Sequence, residues 1–223
     1  MIIIAREFIN HLIPPLNKSD SAKKANAWME ELRINQLPVI EGGVYCGVIS
    51  EEAILEDNDN SKTVSEYKLQ GASCVVNENQ HFYDVLKIVS DHGVQLVAVL
   101  DDEETFLGVI SIKDTVTAFA QSAAVQSPGG IIILSLKQID YSLAEISRLI
   151  ESNDAKILSS IVNNDIFDAN MIKLTLKINK TDLSAIIATL ERFEYKIIAK
   201  FEESKVESSD KERLDILFKY LDI

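Results

Sequence analysis

The chain has 223 residues, 47% hydrophobic and 26% charged, with only 8 Gly and 4 Pro, a composition that supports buried cores and excludes long flexible linkers. Its net charge of -13, with no dense run of Lys and Arg, opposes a phosphate backbone, so nucleic acid is not expected as a partner. The longest apolar runs, around 94–100 and 131–136, are strand-sized and far short of the roughly 20 residues that cross a bilayer, so no membrane partner is expected either.

Residues 1–4 are apolar, but Arg6 and Glu7 follow at once, without a signal-peptide core or cleavage pattern, and a cytoplasmic location is the expectation. Cys46 and Cys74 are too few for a disulfide framework and read as two reduced thiols.

An internal repeat organises residues 1–124. Cys46-Gly47-Val48-Ile49-Ser50 returns as Leu107-Gly108-Val109-Ile110-Ser111, a period of about sixty residues. Leu37-Pro38-Val39-Ile40 falls on Val97-Ala98-Val99-Leu100, each an apolar strand before a turn, Glu41-Gly42-Gly43 in one and Asp101-Asp102-Glu103-Glu104 in the other. An amphipathic helix precedes each: Ala22, Ala25, Trp28, Met29 and Leu32 align with Phe82, Val85, Ile88, Val89 and His92. Before each helix lie a short extended stretch, Pro15-Leu16 or Val75-Val76, and a polar opening able to cap it, 17–21 or 77–80. Two β-α-β-β-α units, about 1–60 and 61–124, are thus predicted to bury their sheet faces against each other.

Both units resemble the cystathionine-β-synthase-type (CBS) domain, marked by an L-P-V strand and by a G-h-h-S/T-x-x-D/N junction, h being apolar. The first copy has Leu37-Pro38-Val39 and Gly47-Val48-Ile49-Ser50 but carries Ala53 where the acid belongs. The second lacks the proline but has the whole junction, Gly108-Val109-Ile110-Ser111-Ile112-Lys113-Asp114. The resemblance implies an adenine-containing ligand, with AMP, ADP, ATP and S-adenosylmethionine as possibilities and no required cofactor. Ser111 and Lys113 would face phosphate and Asp114 the ribose, while backbone near Val75 and Leu96 or Val97 edges a slot for the base. The chemistry suits the roles, since a carboxylate accepts from a cis-diol and a helix N-terminus presents N–H groups to phosphate. A Ser followed three residues later by an acid is equally a helix capping box, and both readings stand at this point. In the first copy Glu51 and Glu52 crowd the phosphate position and Ala53 offers no acceptor, so at most one competent site per chain is expected.

Residues 121–130 carry turn chemistry and no helical stripe, with 125–130 as the linker proper. Beyond it the pattern predicts a strand over 131–136 and a helix over 143–151 capped by Ser142 with Glu145. Strands over 156–162 and 171–178 follow around Asn163-Asn164-Asp165. A helix capped by Thr181 and a last strand over 195–201 complete the pattern. This β-α-β-β-α-β order is that of ferredoxin-like folds. The string from Leu143 to Ile150 resembles the first helix of ACT domains, and the CBS-pair-then-ACT order is similar to acetoin-utilisation-type regulatory proteins. The expected fold class is α+β, a CBS-domain pair over 1–124 plus a ferredoxin-like ACT-type domain over 131–203. ACT domains commonly place a glycine in the loop entering that helix; Asp140-Tyr141-Ser142 stands there instead, which leaves a pairing domain without a ligand as the alternative. Residues 204–223 place Leu214, Leu217, Phe218 and Leu221 at helical spacing.

His11, His81 and His92 are scattered, with no HExxH, Cys-x-x-Cys or nucleophile elbow, so no metal site and no catalytic residue are expected. The acidic runs 56–60 and 101–104 read as solvated turns. The sequence therefore points to a non-enzymatic, homodimeric sensor of a small-molecule ligand that signals to a downstream protein the sequence does not identify. The alternative is a ligand-free assembly protein using its CBS and ACT surfaces.

Overall fold

A computed structural model describes residues 4–57, 62–121 and 123–202, and the chain divides into two units, 1–120 and 121–223. The first unit contains the repeat. Its first copy comprises β1 (Leu16–Asn17), α1 (Ala22–Leu32), β2 (Gln36–Glu41), β3 (Val44–Ser50) and α2 (Glu51–Asp57). The second comprises β4 (Val75–Asn77), α3 (Phe82–His92), β5 (Leu96–Leu100), β6 (Phe106–Ser111) and α4 (Ile112–Ala120). The sheets run β1-β2-β3 and β4-β5-β6, each with a parallel outer pair and an antiparallel hairpin. Even their irregularities repeat, with register shifts at Val39/Ile40 and at Val99/Leu100.

Local chemistry sets the helix ends. The Ser21 hydroxyl accepts from the Lys24 N–H at the start of α1, and His81 Nδ1 accepts from the Tyr83 N–H at the start of α3, one residue beyond the predicted polar opening. Both helices stop at a left-handed residue, Arg33 at φ 55° and Gly93 at φ 63°. His92, aligned with the apolar Leu32 by the repeat, is exposed at the end of α3.

The central strand of the second copy is buried on both faces, which explains its unbroken apolar sequence. Leu96 and Ala98 join a core shared with Leu16, Leu37 and Val39 of the first copy. Val97 and Val99 face the other way, into a core with Ala5, Val76, Val85 and Ile110.

The copies also exchange their leading segments. Residues before β1 cross the second copy, where the Asn10 N–H donates to the Val109 carbonyl at 2.8 Å and the Ala5 N–H to the Gln80 carbonyl at 2.9 Å. Residues before β4 cross the first, with Val48 and Gln70 exchanging two backbone bonds of 2.8 and 2.9 Å and the Ala22 N–H donating to the Lys62 carbonyl. The repeated glycines make room for this crossing. A Cβ on Gly47 would lie 2.7 Å from the Gln70 carbonyl oxygen, and one on Gly108 2.4 Å from Cγ2 of Ile9. The sequence boundary near residue 60 thus separates units that are not spatially self-contained.

The second unit contains α5 (Ala123–Gln126), β7 (Gly130–Lys137), α6 (Leu143–Glu151), β8 (Ile157–Asn164), β9 (Met171–Ile178), α7 (Ser184–Arg192) and β10 (Lys196–Phe201). The short α5 occupies part of the stretch expected to be irregular. The strands form one antiparallel sheet in the order β10-β7-β9-β8. Alternate residues of β7 and β9, such as Ile132, Leu134, Leu174 and Leu176, share a core with Ile146 and Leu149 of α6 and Ile186 and Leu190 of α7. Ser142 caps α6 as expected, its hydroxyl accepting from the Glu145 N–H. Thr181 does not cap α7; Asp182 Oδ1 accepts from the Ser184 N–H, a shorter reach from the residue nearer the first turn. The helix expected within 204–223 lies outside the described residues.

Both glycines have a positive φ, 131° at Gly47 and 155° at Gly108; an added Cβ would meet backbone at Gly47 and the Cγ2 branch of the Ile9 side chain at Gly108. Urea unfolding of Gly47→Ala is expected to show a loss of about 1–3 kcal/mol, and Gly108→Ala a smaller loss.

Candidate functional site

The β6-to-α4 junction carries Ser111, Lys113 and Asp114 and brings two of these sequence-predicted residues, Ser111 and Asp114, together. The Ser111 N–H and hydroxyl both donate to Asp114 Oδ2, at 2.9 and 2.6 Å, and the Asp114 N–H donates to Ser111 Oγ at 3.1 Å. This is a complete capping box, so the structural role weighed from the sequence is realised. A third group joins it. Asn10 Nδ2 donates to Asp114 Oδ1 and Oδ2 at 3.3 and 3.2 Å, while Asn10 Oδ1 accepts from the Leu12 N–H at 3.0 Å, which sets the amide orientation. Asp114 is half-buried.

The junction borders a cleft of about 1020 Å³ within the first unit, lined from both copies. The second copy supplies Ser111, Ile112, Lys113, Gln95 and Leu96; the first supplies Asn10, Gln36, Arg33 and Glu51 among others. Of the predicted residues, Ser111, Lys113 and Leu96 line it, and Asp114 sits immediately behind Ser111. Val75 and Val97 are not in its lining: Val75 packs against the shared core and Val97 is fully buried behind β5.

The lining has mixed charge. Lys113, Arg33, Glu30 and Glu51 all line the cleft, so it offers both cations and carboxylates. Gln36 lines it with Oε1 buried and without a hydrogen-bond partner, an acceptor of the sort that a ligand N–H satisfies. Asn10, Arg33 and Gln36 had no sequence signal of their own. Asn10 reaches Asp114 across 104 positions of chain, and no local pattern announces such a contact.

The first copy's junction is simpler. Ser50 Oγ accepts from the Ala53 N–H at 3.2 Å, with no carboxylate to return the bond. The run at 101–104 is a turn ordered by Asp101 Oδ1, which accepts from the N–H groups of Glu103 and Thr105. Both cysteines are free thiols, and burial raises the pKa of Cys74. Among the described residues no group of three or more His, Cys, Asp and Glu stands close enough to hold a metal, and no helix is long and apolar enough to cross a membrane.

A family model described as the CBS domain matches residues 73–121, spanning the second copy from β4 to the end of α4. With the same topology repeated in the first copy, this match supports a CBS-domain pair in the first unit. An uncharacterized protein of Methanocaldococcus jannaschii is 21% identical over 174 residues, covering 78% of this chain. The match covers 65% of that relative, so the chain spans slightly less than two thirds of its length. Among solved structures, a CBS domain pair/ACT domain protein from Thermotoga maritima matches at 21% identity and TM-score 0.49, over 53% of this chain and 97% of that one. CBSX2 of Arabidopsis thaliana, in its complex with AMP, matches at 17% identity and TM-score 0.46, over 53% of this chain and 96% of that one.

Ser111 both gives and takes bonds in its cap, whereas Ser50 takes one. Ser111→Ala is expected near the upper end, and Ser50→Ala near the lower end, of a loss of about 0.5–2 kcal/mol in chemical denaturation.

Proposed function

We propose that this chain is a non-enzymatic regulatory sensor that binds an adenine nucleotide or related adenosyl ligand at its CBS pair. The observation that carries the reading is the cleft bordered by Ser111 and Lys113 with the Asp114 carboxylate directly behind. Lys113 would meet phosphate, Asp114 the ribose diol, and Leu96 an apolar edge of the base, while Val75 and Val97 support that edge from behind. Gln36 Oε1 suits an exocyclic amine. Glu51, lining the same cleft, disfavours a second nucleotide at the first copy, giving one site per chain.

The second unit is assigned as a ferredoxin-like, ACT-type domain that pairs chains without holding an amino acid. Its sheet order and β-α-β-β-α-β connectivity support the assignment. Tyr141, in the loop where ACT domains commonly carry a glycine, packs against the core. The protein acts in the cytoplasm as a homodimer, and ligand binding alters its packing in a way read by a downstream protein; such a shift requires unequal affinity for the two arrangements. Ile112, Val116 and Phe119, spaced along one side of α4 and 38, 62 and 49% exposed, supply an apolar surface for pairing. That surface also favours the second reading, an assembly protein whose CBS and ACT surfaces bind partners and no small molecule.

Thermal-shift measurements with AMP, ADP, ATP and S-adenosylmethionine discriminate between these readings. At a hundredfold excess over Kd, the sensor should gain about 2.7 kcal/mol, seen as a rise in melting temperature that Asp114→Ala removes. Absence of a shift with all four favours the assembly protein. Light scattering should report a dimer, and the double variant Val116→Asp with Phe119→Asp should move it to monomer; an unchanged mass would remove α4 from the interface.

A further inference from the structure

The Asp114 carboxylate is already crowded with hydrogen-bond donors. Oδ2 already takes the Ser111 N–H at 2.9 Å, the Ser111 hydroxyl at 2.6 Å and Asn10 Nδ2 at 3.2 Å; Oδ1 takes Asn10 Nδ2 at 3.3 Å. A carboxylate has about four lone-pair positions. A ribose diol brings two further O–H donors, more than the remaining capacity, so an existing donor must leave. The Ser111 bonds are short and integral to the start of α4. Those from Asn10, at the long end of the N–H···O range, come from a separate segment, so they are the ones to break.

We propose that Asn10 is a gate, holding the ribose position of Asp114 until ligand replaces it. The proposal rests on the adenylate reading and adds to it a residue that competes with ligand. It also gives binding a mechanical output. The Asn10 backbone is fastened to Val109, and its side-chain oxygen holds the Leu12 N–H at 3.0 Å. When the amide swings off Asp114, Leu12 loses that acceptor and the segment leading into β1 loosens. A signal created at the second copy is thereby delivered to the chain that enters the first.

The test is AMP titration calorimetry on the full chain, wild type and Asn10→Ala, with amide hydrogen exchange followed by NMR. Asn10→Ala is expected to bind AMP about two- to tenfold tighter, the equivalent of one modest hydrogen bond no longer broken on binding. AMP should also speed exchange at the Leu12 amide of the wild type. If wild-type protein binds AMP while the variant gains nothing and Leu12 exchange is unchanged, the gate is refuted and the adenylate site survives. If neither protein binds AMP at millimolar concentration, the adenylate reading falls and the gate falls with it. Should Asn10→Ala fail to fold, the wild-type Leu12 amide decides alone: faster exchange on AMP addition supports the gate and unchanged exchange overturns it.

Discussion

The first unit depends on the close approach of two leading segments to two glycines. At Gly47 and Gly108 a leading segment from the opposite copy lies where any side chain would stand, and its backbone bonds to the neighbouring valine, Val48 or Val109. A Cβ on either glycine would collide with that segment, with the Gln70 carbonyl oxygen at Gly47 and with the Ile9 side chain at Gly108. Each copy is therefore completed by residues that precede the other. Because both exchanges occur, the two sheets are locked face to face, and β5 becomes a strand with no exposed side.

That same exchange builds the site. Asp114 belongs to the second copy, but Asn10 arrives with the segment that leads into the first. The cleft is lined from both copies, including Arg33 and Gln36 near the end of α1 and Lys113 at the start of α4. Ser111 and Asp114 stabilise a helix start, and Ser111 at the same time lines a space large enough for a nucleotide, with Asp114 directly behind it. Folding and binding thus draw on the same lone pairs, which makes the site sensitive to which donor occupies them.

The second unit follows simpler rules. Strict alternation along β7 and β9 places one row of aliphatic residues on α6 and α7 and leaves the other row half-exposed. Its helix starts use different acceptors, a serine hydroxyl at α6 and an aspartate carboxylate at α7, either of which satisfies an N–H that the helix leaves unpaired.

Much of this architecture is legible in the order of residues, because periodicity, turns and caps are local. The repeat of Gly-Val-Ile-Ser, the stripes of α1 and α3, the alternating strands of the second unit and the Ser111–Asp114 box all follow from neighbours within a turn or two of chain. The exchange of leading segments, the burial of Val97 behind its sheet and the contact of Asn10 with Asp114 do not. They depend on which surfaces meet once the sheets have paired, and residues more than a hundred positions apart carry no shared local pattern to report the meeting. The chain by itself determined which groups could form the junction; only the packing of one copy on the other decided which donor the carboxylate would hold.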